Sequence, residues 1–134
     1  LKKRNYRAMV FVLLTVGAGN VLNQLVKRWI GRPRPEMVDQ LTSFSFPSGH
    51  AMISLLYLFT IAFLLSELLK SNKKIIVIWI IASILTFLTG LSRVAENRHF
   101  ASDVIAGWCL GYSWFMLCVF WYGRGKMQLE KLKK

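Results

Sequence analysis

Both histidines of the chain, His50 and His99, stand beside residues suited to chemistry on a phosphate group. His50 ends the segment PSGH, residues 47–50, in which Ser48 is a good helix cap and Gly49 and His50 begin the following turn. The free backbone N–H groups of such a start attract phosphate. His99 lies in SRVAENRHFASD, residues 92–103, with Arg93 before it and Asp103 four residues after it. On a helix, that spacing places imidazole and carboxylate on one face, where Asp103 holds one ring nitrogen and raises the nucleophilicity of the other. A third segment, KRWIGRPRP at residues 27–35, supplies Lys27, Arg28, Arg32 and Arg34, the last in a stretch stiffened by Pro33 and Pro35.

These three segments are far apart in sequence, so the apolar runs between them must bring them together. The runs fall at 8–26, 50–69, 75–91 and 101–122. A helix of about 20 residues rises about 30 Å, the thickness of bilayer hydrocarbon. The predicted fold is therefore all-α: a polytopic membrane bundle of four transmembrane helices, with residues 1–134 forming a single membrane-embedded unit. No polar and apolar alternation suggests a transmembrane barrel. A soluble bundle is the alternative, but at 54% hydrophobic residues and a mean hydropathy of +0.43 little remains to coat a wet surface.

The net charge of +12 invites a nucleic-acid reading, yet the cations punctuate apolar runs instead of covering a face. No nucleic-acid partner is expected; the bilayer is. Four crossings put both termini and the link at 70–74 on one side, and segments 27–49 and 92–100 on the other. Twelve of the eighteen cations then lie on the terminal side, and six, namely Lys27, Arg28, Arg32, Arg34, Arg93 and Arg98, on the other. The positive-inside rule places the termini in the cytoplasm and the histidine segments outside. Cys109 and Cys118 sit nine residues apart in one apolar run, on nearly opposite helix faces, and are expected to remain unpaired. The first apolar stretch is followed by KRWIGRPRP and not by a small-residue cleavage site, so it is not expected to be a cleavable signal peptide.

In order along the chain stand Lys27, six residues, Arg34 and Pro35; then Pro47, Ser48, Gly49 and His50; then Ser92, Arg93, five residues, His99, three residues and Asp103. This ordered set resembles the complete three-part signature of the type-2 phosphatidic acid phosphatase superfamily, and the motifs with their joining helices cover nearly the whole chain. That superfamily includes membrane lipid phosphatases, soluble bacterial acid phosphatases and vanadium haloperoxidases; the hydrophobic background here resembles the membrane branch. The resemblance implies a phosphohistidine mechanism. His99 Nε2 attacks phosphorus, Asp103 orients the ring and partly neutralises the imidazolium, and His50 gives a proton to the leaving group and later takes one from water. Lys27, Arg34 and Arg93, with the Ser48 hydroxyl and the Gly49 N–H, bind the phosphoryl oxygens. Neither a metal nor another cofactor is expected.

The resemblance also suggests phosphatidylglycerophosphate, phosphatidic acid and undecaprenyl pyrophosphate as substrates, and a bacterial inner membrane as host. A lipid phosphotransferase on the same site, a vanadate-dependent peroxidase and a noncatalytic lipid-phosphate-binding subunit are the competing readings; a homo-oligomer is compatible with all of them. Membrane members usually have six spans with the chemistry in the last four, and the chain resembles that core without the two preceding helices, whether as a compact enzyme or as part of a longer one. Arg28, Arg32, Glu96 and Arg98 are read as contacts to lipid headgroups or substrate, and the linker at 36–46 as part of the entrance. Gly17, Gly19, Gly107 and Gly111 suit close helix contact. Trp29, Trp108 and Trp121 suit the membrane interface, while Trp79 and Trp114 lie deeper.

Overall fold

The computed structural model describes residues 2–36 and 42–131. It contains α1 (Lys2–Val12), a π-helical turn (Leu13–Ala18), α2 (Gly19–Ile30), α3 (Gly49–Leu68), α4 (Asn72–Ala95) and α5 (Ala101–Lys131). No strand occurs among the described residues. Among the described residues, four helical stretches are long and apolar enough to cross a membrane: Tyr6–Ile30, Gly49–Leu68, Asn72–Ala95 and Ala101–Gly125. The chain is an all-helical, multi-pass membrane protein. Several helices run a turn beyond the apolar windows, because Lys27 and Arg28 at the end of α2, and Asn72 to Lys74 at the start of α4, are good enough helix residues to continue the backbone ladder.

The first span is one rod with a defect in it. Thr15, fully buried, donates its hydroxyl to the Phe11 carbonyl at 2.8 Å and accepts from Thr60 Oγ1 at 3.0 Å. Such back-bonding competes with the backbone ladder, and a π-turn over Leu13–Ala18 is where the ladder gives way. The backbone stays right-handed on both sides, so α1 and α2 remain continuous. α2 then stops at Gly31, whose φ of 63° is the left-handed cap that glycine adopts without penalty.

Apolar around its whole circumference, α3 is the central helix, packed against α4 and α5 and more lightly against α2. An aromatic core fills the half of the bundle remote from the histidine segments. Phe11 sits 5.1 Å from Phe63 and from Tyr122, and Phe59 meets Trp79 edge-on at 5.2 Å. Trp79 and Trp114 pack inward, donating to Ser66 Oγ and to the Leu14 carbonyl. The outer face of α4, with Ile80, Ile84, Leu88 and Leu91 about half exposed, has the character of a lipid-facing surface. Both cysteines are free.

Small residues replace aromatics in the half nearer the histidines. A Cβ on Gly107 would stand 2.7 Å from the Ser48 carbonyl oxygen, so α5 lies directly on the start of α3 there. Gly19 and Gly111 also permit close contact, against Leu56 and Met52. Gly17 does not: nothing approaches it within 4 Å. Gly90, unremarked in the sequence, is covered by the Trp108 ring, which therefore packs between α4 and α5. At this end of the bundle the end of α2, the start of α3, the end of α4 and the start of α5 converge.

Candidate active site

The start of α3 is built as PSGH suggests. Ser48 caps the helix, its Oγ accepting from the Ala51 N–H, while its own N–H donates to the Asp103 carbonyl at 2.9 Å. That second bond ties the first turn of α3 to the first turn of α5. Ser48 is fully buried. Gly49 and His50 face the cavity in its stead.

His99 and Asp103 come together by a different route from the helical face that their spacing suggests. α5 begins only at Ala101, so His99 lies in the preceding turn, where Asn97 takes a left-handed φ of 55°. Asp103 is the third residue of the helix, and its Oδ2 reaches back to the Phe100 N–H at 2.8 Å, as an acidic residue does in a capping box. His99 Nδ1 stands 3.7 Å from that oxygen, too far for a hydrogen bond. The Ser45 hydroxyl fills the gap: it donates to Asp103 Oδ2 and lies 3.5 Å from His99 Nδ1. The other carboxylate oxygen accepts from Arg32 Nη1 at 2.9 Å. Arg32, read from sequence as a headgroup contact, thus holds the buried carboxylate while its guanidinium stacks on Phe100 at 4.4 Å.

Arg34 crosses to the opposite side of the imidazole. Its Nε and Nη2 donate to the Ser43 carbonyl and hydroxyl, and Nη1 donates to the Arg98 carbonyl at 2.8 Å. Nη1 also lies 3.1 Å from His99 Nε2. A guanidinium only donates, so Nε2 presents its lone pair and the ring proton belongs on Nδ1, toward Ser45 and Asp103. Burial, and next the Arg34 and Lys27 charges, hold the His99 pKa down to about 4 against the opposing pull of a Ser45 backbone bond and Asp103. At neutral pH the ring is uncharged with Nε2 available. Burial and Arg98 also lower the Arg34 pKa.

Lys27 is buried, its ammonium donating to the Phe44 carbonyl at 2.9 Å. Lys27, Arg34, Gly49, His50 and His99 line one cavity of about 450 Å³, and among the described residues no carboxylate lines it. Lys27 and Arg34 give the wall its positive charge, as an anion requires.

The remaining sequence candidates stand apart from this wall. Ser48 and Asp103 lie behind it, capping and supporting. Arg93 is engaged by Glu96 Oε1 at 2.9 Å, and Glu96 Oε2 takes Arg98 at 2.9 Å, so these three form an ion-pair cluster at the end of α4. Arg28 is exposed. Of the linker 36–46, residues 37–41 lie outside the described residues. Among the described residues, no three His, Cys, Asp or Glu side chains gather where a metal ion would be held. Ser43 and Ser45 were missed by sequence reasoning. Both lie in TSFSF, where a serine pair carries no spacing signal beyond its nearness to Pro47.

Residues 8–126 match the PAP2 superfamily over nearly the whole set of helices just described. The chain belongs to that superfamily. Among PAP2 proteins it is 38% identical over 113 residues to phosphatidylglycerophosphatase B of Bacillus subtilis, covering 81% of this chain and 55% of the relative. It is 34% identical over 123 residues to lipid A 4'-phosphatase of Francisella tularensis subsp. novicida, covering 77% and 53%. An undecaprenyl-diphosphatase of Sulfolobus acidocaldarius is 42% identical over 73 residues, 54% of this chain and 31% of that one. The crystal structure of a transmembrane PAP2 type phosphatidylglycerolphosphate phosphatase from Bacillus subtilis superposes with a TM-score of 0.77 at 36% identity, covering 86% of this chain and 59% of that one. The chain thus spans about half the length of the first two curated PAP2 relatives.

Proposed function

We propose that this PAP2 chain hydrolyses a membrane-lipid phosphate through a phosphohistidine on His99. The observation that carries the reading is a cationic cavity containing both histidines and, among the described residues, no carboxylate, with the His99 Nε2 lone pair facing Arg34 and the ring backed by Asp103. In the first step Nε2 forms a bond to phosphorus as the bond from phosphorus to the leaving oxygen breaks, and His50 gives that oxygen a proton. In the second, water attacks phosphorus, the N–P bond breaks, and the proton of water passes to His50. Lys27, Arg34 and the Gly49 N–H stabilise the charge that builds on the non-bridging oxygens. These groups supply the neutralisation directly, so activity is expected to survive chelation.

The same reading makes Arg93 a phosphate ligand only after it exchanges Glu96 for substrate. Glu96 and Arg98 then regulate its reach instead of touching the headgroup. Candidate substrates are phosphatidylglycerophosphate, phosphatidic acid and undecaprenyl pyrophosphate, whose tails would stay in the membrane while the phosphate enters the end of the bundle. With the excess of cations at the other end, the positive-inside rule puts the termini in the cytoplasm and the site on the outer face of a bacterial membrane.

The test is phosphate release from a panel of lipid monophosphates and diphosphates in detergent with EDTA, alongside His99→Ala. Release by wild type, its loss in the variant, and labelled phosphate trapped on His99 are the expected results. Release that requires added metal, or that persists in His99→Ala, overturns the mechanism.

A further inference from the structure

Asn23 has no exposed surface, whereas Asn20 and Gln24 of the same helix are exposed. It stands one turn before Lys27, on the same face of α2. Its Nδ2 donates to Met52 Sδ at 3.5 Å, a weak acceptor that nevertheless sets which way the amide faces. Oδ1 is left toward the start of α3, 3.3 Å from the point where a Cβ on Gly49 would stand. Among the described residues no donor reaches that oxygen. A buried carbonyl without a partner is destabilising, the more so in a membrane span, where no bulk water replaces the missing bond.

Lys27 flanks the same point, with its Cε 3.8 Å from the Gly49 Cβ position. An ammonium has three N–H groups. The Phe44 carbonyl takes one from Lys27, and among the described residues no other acceptor is engaged. A phosphate in the cavity would take a second. The third then needs an acceptor on the buried side. The neighbouring groups do not offer one: Arg34 only donates, His99 Nε2 faces Arg34, and the Asp103 oxygens are taken by Arg32, Ser45 and the Phe100 N–H. Asn23 Oδ1 is unpartnered, and the bare Gly49 leaves the space beside it open.

Resting on the phosphatase reading, we propose that Asn23 is a positioning residue whose Oδ1 accepts a hydrogen bond from the Lys27 ammonium once phosphate is bound. The amide touches no reacting atom and acts through the lysine. It holds the ammonium against the start of α3, so that a remaining N–H points at the phosphoryl oxygens beside the Gly49 N–H. A flexible cation thereby becomes a fixed one, which matters most as charge builds in the transition state.

The test uses the full chain in detergent micelles, with orthovanadate binding by calorimetry and phosphate release from dioleoyl phosphatidic acid as separate readouts. Asn23→Leu and Asn23→Ala both lack the acceptor, and Asn23→Asp keeps it. Loss of a hydrogen bond to a charged group is expected to weaken vanadate binding and lower kcat/KM by about 10-fold in the first two variants, with most of both regained in Asn23→Asp. In a Lys27→Met background the same substitutions are expected to change vanadate binding by less than about 2-fold, because the group they act through is gone. If melting shows one of the two variants misfolded, the other decides; misfolding of both makes Asn23 a folding residue and overturns the positioning role. Unchanged vanadate binding, no recovery in Asn23→Asp, or an equal loss with and without Lys27 overturns it too, and leaves the phosphatase reading standing. The expected vanadate pattern without phosphate release supports the Asn23–Lys27 pair and overturns hydrolysis of that lipid. A wild type that neither binds vanadate nor releases phosphate overturns both readings.

Discussion

Arg32 Nη1 lies 2.9 Å from Asp103 Oδ1, so a carboxylate with no exposed surface holds a cation on one oxygen and Ser45 on the other. Arg32 touches no reacting group. On the proposed mechanism it acts through Asp103, by fixing the carboxylate behind the His99 ring. Replacing Arg32 with Ala leaves a buried charge short of a partner. The expected outcome is a drop in kcat of about 10–100-fold with KM nearly unchanged, partly recovered in Arg32→Lys. Steady-state kinetics on a lipid monophosphate checks it, and a loss confined to KM would instead make Arg32 a substrate contact.

The His99 proton gives a prediction independent of turnover. With its pKa held to about 4, His99 stays neutral at pH 6 and carries its proton on Nδ1, which ¹⁵N-histidine NMR of the two-histidine chain reads directly. Arg34→Gln removes a charge that lowers this value, so the pKa rises toward the ordinary imidazole range. The linkage has a definite sign. The unfolded ring binds a proton near pH 6.5 and the folded ring only near 4, so between those values the unfolded state binds more protons. The His99 contribution to stability is whole above about pH 6.5 and declines as the pH falls toward 4.

Ser45→Ala removes the hydroxyl between Nδ1 and Asp103 while Asp103 keeps the Phe100 N–H and Arg32. Fold and substrate binding are expected to persist, with formation of the phosphoenzyme slowed by about 10-fold. Rapid-quench measurement of phosphate on His99 separates this from a loss of stability. An unchanged rate of phosphorylation would make the serine a packing residue only.

Gly107→Ala forces a methyl against the Ser48 carbonyl oxygen, a backbone atom that cannot swing aside. A loss of about 1–3 kcal/mol is expected, seen as a lower melting temperature in detergent, together with reduced activity because the α3–α5 contact positions both histidine segments. Gly17→Ala is the matched control: its neighbourhood is open, and the better helix propensity of alanine makes the change neutral or mildly stabilising.

Much of the arrangement was readable because spacing and charge encode it. Four apolar runs gave the spans, and Lys27, Arg34, His50 and His99 do share a wall. What escaped was of two kinds. Arg32 looks like any interfacial arginine, since residue type cannot tell a cation that faces a headgroup from one that faces a buried carboxylate. Ser45 lies in a loop with no periodicity to read, and how Asp103 is held depends on where α5 begins, since helix boundaries are set by caps and tertiary contacts more than by periodicity. The i to i+4 spacing suggested the right pair for a reason the structure replaces with a capped helix start. Likewise Gly17 and Gly90 differ only in what stands opposite them.

The π-turn over Leu13–Ala18 sets the angular phase of the first span. A π-turn accommodates one residue more than the α-helical ladder does, and each residue of an α-helix corresponds to about 100° of rotation. The extra residue acts as a fixed offset between two cylinders: α1 is keyed by Phe11 to the aromatic core, and α2 presents Asn20, Gln24 and Lys27 to the cavity. Straightening the turn into an α-helical ladder with no residue removed would leave hydropathy and length untouched, yet swing the polar face of α2 by about 100° away from the cavity.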